Sequence, residues 1–156
     1  MPQNTMTPQD RLEVMELIGR YQRCIDSGDY DAYAENFVPD GVVEWANGVR
    51  HGRAEIRDWV KEMVGRGQVG AEPAFLRHFV GLPYIHEGNS ERCAARTYMV
   101  IFQYDAEGKV AANTHWTYID DIVKHEGRWL FEKRYMQLDL RTQSPAVATA
   151  ADAAGR

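Results

Sequence analysis

Apolar residues recur at three- and four-residue spacing early in the chain and at alternate positions later, so the sequence predicts helices first and strands afterwards. Leu12, Met15, Ile18, Gln22 and Ile25 mark a helical stripe that Val14, Leu17 and Tyr21 widen. Thr7-Pro8-Gln9-Asp10 offers an N-cap, a proline at the first helical position and an acidic residue at the third. The first helix is therefore expected over about 8–26, with Ser27-Gly28-Asp29 ending it and a short helix over about 30–36 following. Pro39-Asp40-Gly41 reads as a turn into a strand, Val42 to Ala46, and Asn47-Gly48 closes that strand with a hairpin-type signal. A third helix over about 53–64 places Ile56, Trp59, Val60 and Met63 on one side. Gly65, Gly67 and Gly70 read as a loose linker, because no phosphate-loop spacing accompanies them.

Alternation takes over in the second half. Phe75 to Ile85 is an extended run interrupted at Gly81-Leu82-Pro83, and long strands are expected at Glu91 to Tyr104, about 110–123 and about 128–138. Asp105-Ala106-Glu107-Gly108 and Glu126-Gly127 supply tight turns between them. The order predicts an α+β fold, with three N-terminal helices gathered on one side of a curved mixed or antiparallel sheet. Residues 7–140 form the expected domain, and 141–156, alanine-rich, read as a tail or an arm on a neighbouring subunit.

Composition narrows the function classes. The 156 residues suit one domain with a real core, and 44% hydrophobic content excludes disorder for its body. Eighteen basic against 23 acidic residues give a formal charge of −5, which argues against a nucleic-acid surface. Nothing approaches a membrane span or a secretory leader, so a cytoplasmic protein with two reduced thiols, Cys24 and Cys93, is expected. The five histidines are dispersed and no compact ligand spacing or G-x-S-x-G occurs, so neither a metal nor a cofactor is expected. Four Trp, eight Tyr and five Phe are enough to fill a core or to line a cavity.

Polar residues in apolar surroundings are the candidate chemistry. Asp26 closes the first helix, where a carboxylate is electrostatically disfavoured; alone it reads as a turn residue. His78 shares a strand face with Leu76 and Val80 and is either a satisfied core group or one facing a cavity, where a neighbouring carboxylate would make it a general base. His115 lies on a strand whose two faces are both polar, so one face is expected to meet a polar cavity or a subunit. Arg134 alternates onto a face with Arg128 and Glu132, as salt-bridged surface or as an oxyanion contact. Tyr21, Tyr98, Tyr118 and Tyr135 are possible hydroxyl donors.

The segments Tyr21 to Tyr30, Phe37 to Val43, Gly52 to Ile56, Arg77-His78-Phe79-Val80-Gly81 and Gly127 to Phe131 carry a family resemblance over about 7–138. The chain resembles the SnoaL-like branch of the nuclear-transport-factor-2-like superfamily, and within it scytalone dehydratase, bile acid 7α-dehydratase and the lindane dehydrochlorinase group. The resemblance implies a cone-shaped α+β fold and a dyad in which Asp26 orients His78 as proton acceptor. It departs at Ile25 and Trp45, where scytalone dehydratase has tyrosines, and near Phe102, where it has a second histidine. His115, Tyr98, Tyr118 and Arg134 are then auxiliary candidates, and Tyr21, Gln22, Trp45, Phe102 and Trp116 candidate pocket walls. The expectation is a cofactor-independent lyase or isomerase, dehydratase-like, acting on a small apolar cyclic or polycyclic substrate. The alternatives are a non-catalytic binding or assembly protein, or an epoxide-hydrolase-like or polyketide-cyclase-like enzyme. A homo-oligomer, trimer or dimer, is expected, with neither nucleic-acid nor membrane partners.

Overall fold

A computed structural model describes residues 4–67, 77–104 and 107–138. Expectations for Phe75 and Leu76, for Gly70, for the turn at Asp105-Ala106 and for the tail 141–156 lie outside the described residues. Helix α1 (Pro8–Ser27) starts at the anticipated cap: Thr7 Oγ1 accepts from the Asp10 backbone N–H at 3.1 Å and donates to Asp10 Oδ2 at 2.6 Å. The other Asp10 oxygen accepts from Lys124 Nζ at 2.7 Å and Trp129 Nε1 at 3.1 Å, which pins the helix start to the sheet. Gly28, at φ 74°, ends the helix in the left-handed conformation that glycine adopts without a steric penalty. Helix α2 (Tyr30–Ala34) is shorter than the spacing predicts, and α3 (Gly52–Gly67) runs through the expected linker at Gly65 and Gly67.

Among the described residues seven strands, not five, form one open mixed sheet packed against the helices. They are β1 (Phe37–Trp45), β2 (Gly48–His51), β3 (Arg77–Val80), β4 (Tyr84–Gly88), β5 (Arg92–Tyr104), β6 (Val110–His125) and β7 (Arg128–Leu138). The order is β2-β1-β7-β6-β5-β3, with β4 also on β5; β1 runs parallel to β7 and the other pairs are antiparallel.

Two expectations are corrected and one is met. The return strand of the Asn47-Gly48 turn, β2, escapes sequence reading because Val49, Arg50 and His51 show no apolar alternation. The expected interruption at Gly81-Leu82-Pro83 separates β3 from β4, since proline gives no N–H to a ladder. Pro39-Asp40-Gly41 lies inside β1: pairing with β7 lapses between Phe37 and Val42, so the three residues form a bulge rather than a turn between elements.

Register sets the inner face as successive cross-strand rows. Val43, Arg134, Asp120, Ala95 and Ile85 form one row, and Trp45, Met136, Tyr118 and Thr97 the next. Leu138, Trp116, Met99 and Val80 follow, then Thr114, Ile101 and His78. The first rows are sealed by Val14, Leu17, Ile18 and Tyr21 of α1 together with Tyr33 and Phe37. The later rows include residues that are only partly buried, among them Trp116, Ile101 and Val80. The cone is thus fully packed at one end and less fully buried at the other.

Candidate active site

Asp26 and His78 meet where the last turn of α1 crosses β3. Asp26 Oδ1 lies 2.6 Å from His78 Nδ1, and both carboxylate oxygens lie 3.2 Å from the His78 backbone nitrogen. The side chains retain 12% and 8% of their exposure, so the contact is shielded from solvent. The inward parity of β3 puts His78 opposite Ile101, with Val80 and Met99 in the adjoining row. With Nδ1 engaged by a carboxylate, Nε2 is the nitrogen left for a ligand or a proton. Gln22, one turn before Asp26, donates through Nε2 to the His78 carbonyl. From the helix side an open groove of about 510 Å³, lined by residues that include Gly19, Gln22, Arg23 and Arg77, reaches Asp26.

The other candidates separate into two groups. Tyr98, His115 and Phe102 do not join the pair: they project from the outer face of the sheet, because Met99, Ile101 and Tyr118 take the inner positions beside them. Tyr98 is 77% exposed, and Phe102 packs edge-on against outward-facing Phe79 at 6.5 Å. Tyr118, Tyr21 and Arg134 face inward but are fully enclosed. Trp45 stacks on Trp59 at 4.9 Å, and Trp116 lies in the row next to that of His78.

Arg134 corrects a parity error. The expected surface face with Glu132 fails because one residue is inserted in β7, where Ile122 faces Phe131 but Asp121 faces Lys133. The inserted residue turns Arg134 inward to a bidentate pair with Asp120, Nε to Oδ1 and Nη2 to Oδ2, both at 2.7 Å. The guanidinium carbon sits 4.0–4.1 Å from the ring centres of Tyr21, Tyr118 and Phe131. Burial opposes the charge on Arg134, yet Asp120 more than offsets it and the guanidinium is held protonated. Burial raises Asp120 against the opposing pull of Arg134. Burial likewise raises Tyr33 and Tyr118, with Tyr21 reinforcing both, so neither phenol is an acid tuned toward neutrality. Tyr21 and Tyr33 share a hydroxyl contact of 2.5 Å.

Both cysteines are buried and unpaired, and burial pushes the Cys93 thiol up to about 12, leaving it a poor nucleophile. Among the described residues no three His, Cys, Asp or Glu side chains gather as a metal-ligand set. Sequence reasoning did not anticipate the carbonyl contact of Gln22 or the partnership of Asp120. The inward set Tyr118 and Asp120 was visible as alternation, but nothing in it specified the residue across the strand.

The chain belongs to the SnoaL-like domain family, whose model matches residues 7–135. Among solved structures, an NTF2-like protein with a cystatin-like fold from Novosphingobium aromaticivorans superposes with a TM-score of 0.74 at 24% identity, over 94% of this chain and 88% of that one. A variant of Rv3472 from Mycobacterium tuberculosis, described as a protein of unknown function, gives 0.76 at 23% identity, over 92% and 84%. Aln2 from a Streptomyces species gives 0.76 at 21%, over 87% and 95%. At these identities the likeness is one of fold. Among the described residues no helix is long and apolar enough to cross a membrane.

Proposed function

We propose that the protein is a cofactor-independent lyase or isomerase, dehydratase-like, in which His78 removes a proton from carbon and Asp26 orients it. The observation that carries this reading is the shielded 2.6 Å contact between Asp26 Oδ1 and His78 Nδ1. An ionised Asp26 accepts from Nδ1–H, which selects the tautomer whose Nε2 lone pair is free to act as base. As Nε2 takes the proton, the carboxylate stabilises the imidazolium, and the apolar neighbours Ile101, Val80 and Met99 strengthen that attraction by excluding water. The electron pair left on carbon expels a hydroxyl or similar group, or moves the double bond. Partly buried Trp116 and Ile101 near His78 support a small apolar cyclic or polycyclic substrate. Native mass spectrometry of protein from its own host, searching for retained small molecules, identifies candidates for turnover. With such a substrate, His78→Ala and Asp26→Asn are expected to lower kcat about 10²–10⁴-fold while the fold persists. Full turnover in both variants refutes the mechanism.

Self-association, as a trimer or dimer, is part of the same reading. Phe79, Leu82, Tyr84 and Tyr98 are 64–81% exposed around the β3 and β5 end of the sheet, an apolar surface of the kind that marks protein contacts.

A further inference from the structure

We propose that Gln22 is a positioning residue for His78, holding its main chain while Asp26 holds its ring; this rests on the role of His78 proposed above. Gln22 and Asp26 lie one helical turn apart on the same face of α1. Strand β3 ends the described strand order, so the backbone groups it turns away from β5 have no strand to pair with. His78 turns both of its own that way. Its N–H meets the two Asp26 oxygens, and its C=O accepts from Gln22 Nε2. At this residue two helix side chains take the place of a neighbouring strand.

The division of labour follows from donor and acceptor chemistry. An ionised carboxylate only accepts, so Asp26 serves the N–H and Nδ1–H of His78 but offers nothing to its carbonyl. That carbonyl needs a donor at the same reach, which the amide of glutamine supplies and a glutamate would not. The ladder to β5 holds β3 from one side only, and with Asp26 alone its other edge is tied at His78 through a carboxylate shared by two donors. Gln22 adds a second anchor one turn away on that edge, which restrains the Cα–Cβ direction of His78 and with it the aim of Nε2. Displacements of about 1 Å at a reacting group cost on the order of 10²-fold in rate, so the anchor bears on catalysis without touching substrate. Gln22, a candidate pocket wall in the sequence, lines the groove that reaches Asp26 and directs its amide to the His78 carbonyl.

Nuclear magnetic resonance on the ¹⁵N-labelled full chain tests this without a substrate. In the wild type, the His78 ring should show the Nδ1–H tautomer and its backbone amide should exchange slowly. In Gln22→Met, which keeps the length and loses the donor, the ring signals should average toward a tautomer mixture and amide exchange should quicken at least about tenfold, the factor for losing roughly 1.4 kcal/mol of local protection. Gln22→Glu should do the same, and circular dichroism verifies that each variant is folded. Wild-type ring signals and exchange in both folded variants overturn the inference. Asp26→Asn separates the two ideas: an unchanged ring tautomer there defeats the dyad itself. A change there with none in the Gln22 variants defeats only the positioning role. With a substrate in hand, Gln22→Met should lower kcat about tenfold and leave KM within about twofold, the pattern of lost aim rather than lost binding.

Discussion

Breaking the Asp120–Arg134 pair from either side should destabilise the protein differently as pH changes. Both side chains are fully inaccessible, joined by two 2.7 Å hydrogen bonds, and the guanidinium is boxed by three aromatic rings. Asp120→Ala leaves a cation that proteins do not deprotonate, with only ring faces to replace its carboxylate. Removing one partner of such a pair costs about 3–5 kcal/mol, and at roughly 3 °C per kcal/mol for a chain of this size the midpoint should fall about 10–15 °C near neutral pH. Arg134→Met leaves a carboxylate instead, and burial already raises the Asp120 pKa in the presence of Arg134. A group whose folded pKa lies above its unfolded value contributes most below the unfolded value and loses that contribution as pH rises through the folded one. Arg134→Met should therefore be markedly less destabilised near pH 4 than near pH 8, whereas the cation left by Asp120→Ala does not titrate and gives no such relief at acid pH. The double variant Asp120→Leu/Arg134→Met should recover most of the loss, since it leaves no charge behind. Thermal melts of the four proteins across pH decide the matter. A cost below about 1 kcal/mol for Asp120→Ala, or parallel pH profiles for the two single variants, refutes the reasoning.

Asp10 should govern part of the acid sensitivity. Its hydrogen bond from Lys124, aided by Thr7, holds its carboxyl well below the usual carboxylate range, so its contribution is complete above the unfolded value of about 3.9 and is lost as pH falls below it. Asp10→Asn should flatten the decline in stability between about pH 4 and pH 2 in denaturant titrations; an unchanged slope there contradicts this. The outer face should govern assembly. Phe79→Glu/Tyr98→Glu should shift the chain to a monomer in native mass spectrometry with its circular dichroism intact, and a wild type that is already monomeric at high concentration rules this surface out as a self-interface.

Much of the fold was legible because it depends on local rules. The Thr7 cap, the Gly28 stop and the 3.6-residue stripe of α1 are properties of neighbouring residues, as is the Glu126-Gly127 turn between β6 and β7. His78 was legible as an inward residue because β3 is short and regular. Arg134 was not, because a single bulge in β7 reverses every later side chain, and bulges are set by what the partner strand requires. Tyr98, Phe102 and His115 were misplaced for a related reason. Alternation separates two faces of a strand without saying which is inside, and here the inward choice went to Thr97, Met99 and Tyr118.

By itself, the sequence determined an α+β domain, the helical placement of Asp26, the strand placement of His78, and the family those segments belong to. Tertiary structure alone decided that Asp26 and His78 touch, that Gln22 grips the same backbone, and that Arg134 is a core residue tied to Asp120. These contacts join residues up to 56 positions apart, brought together only when α1 crosses the free edge of β3 and β7 takes its bulged register on β6. Local spacing carries no information about such crossings, because they follow from burying the whole inner face at once.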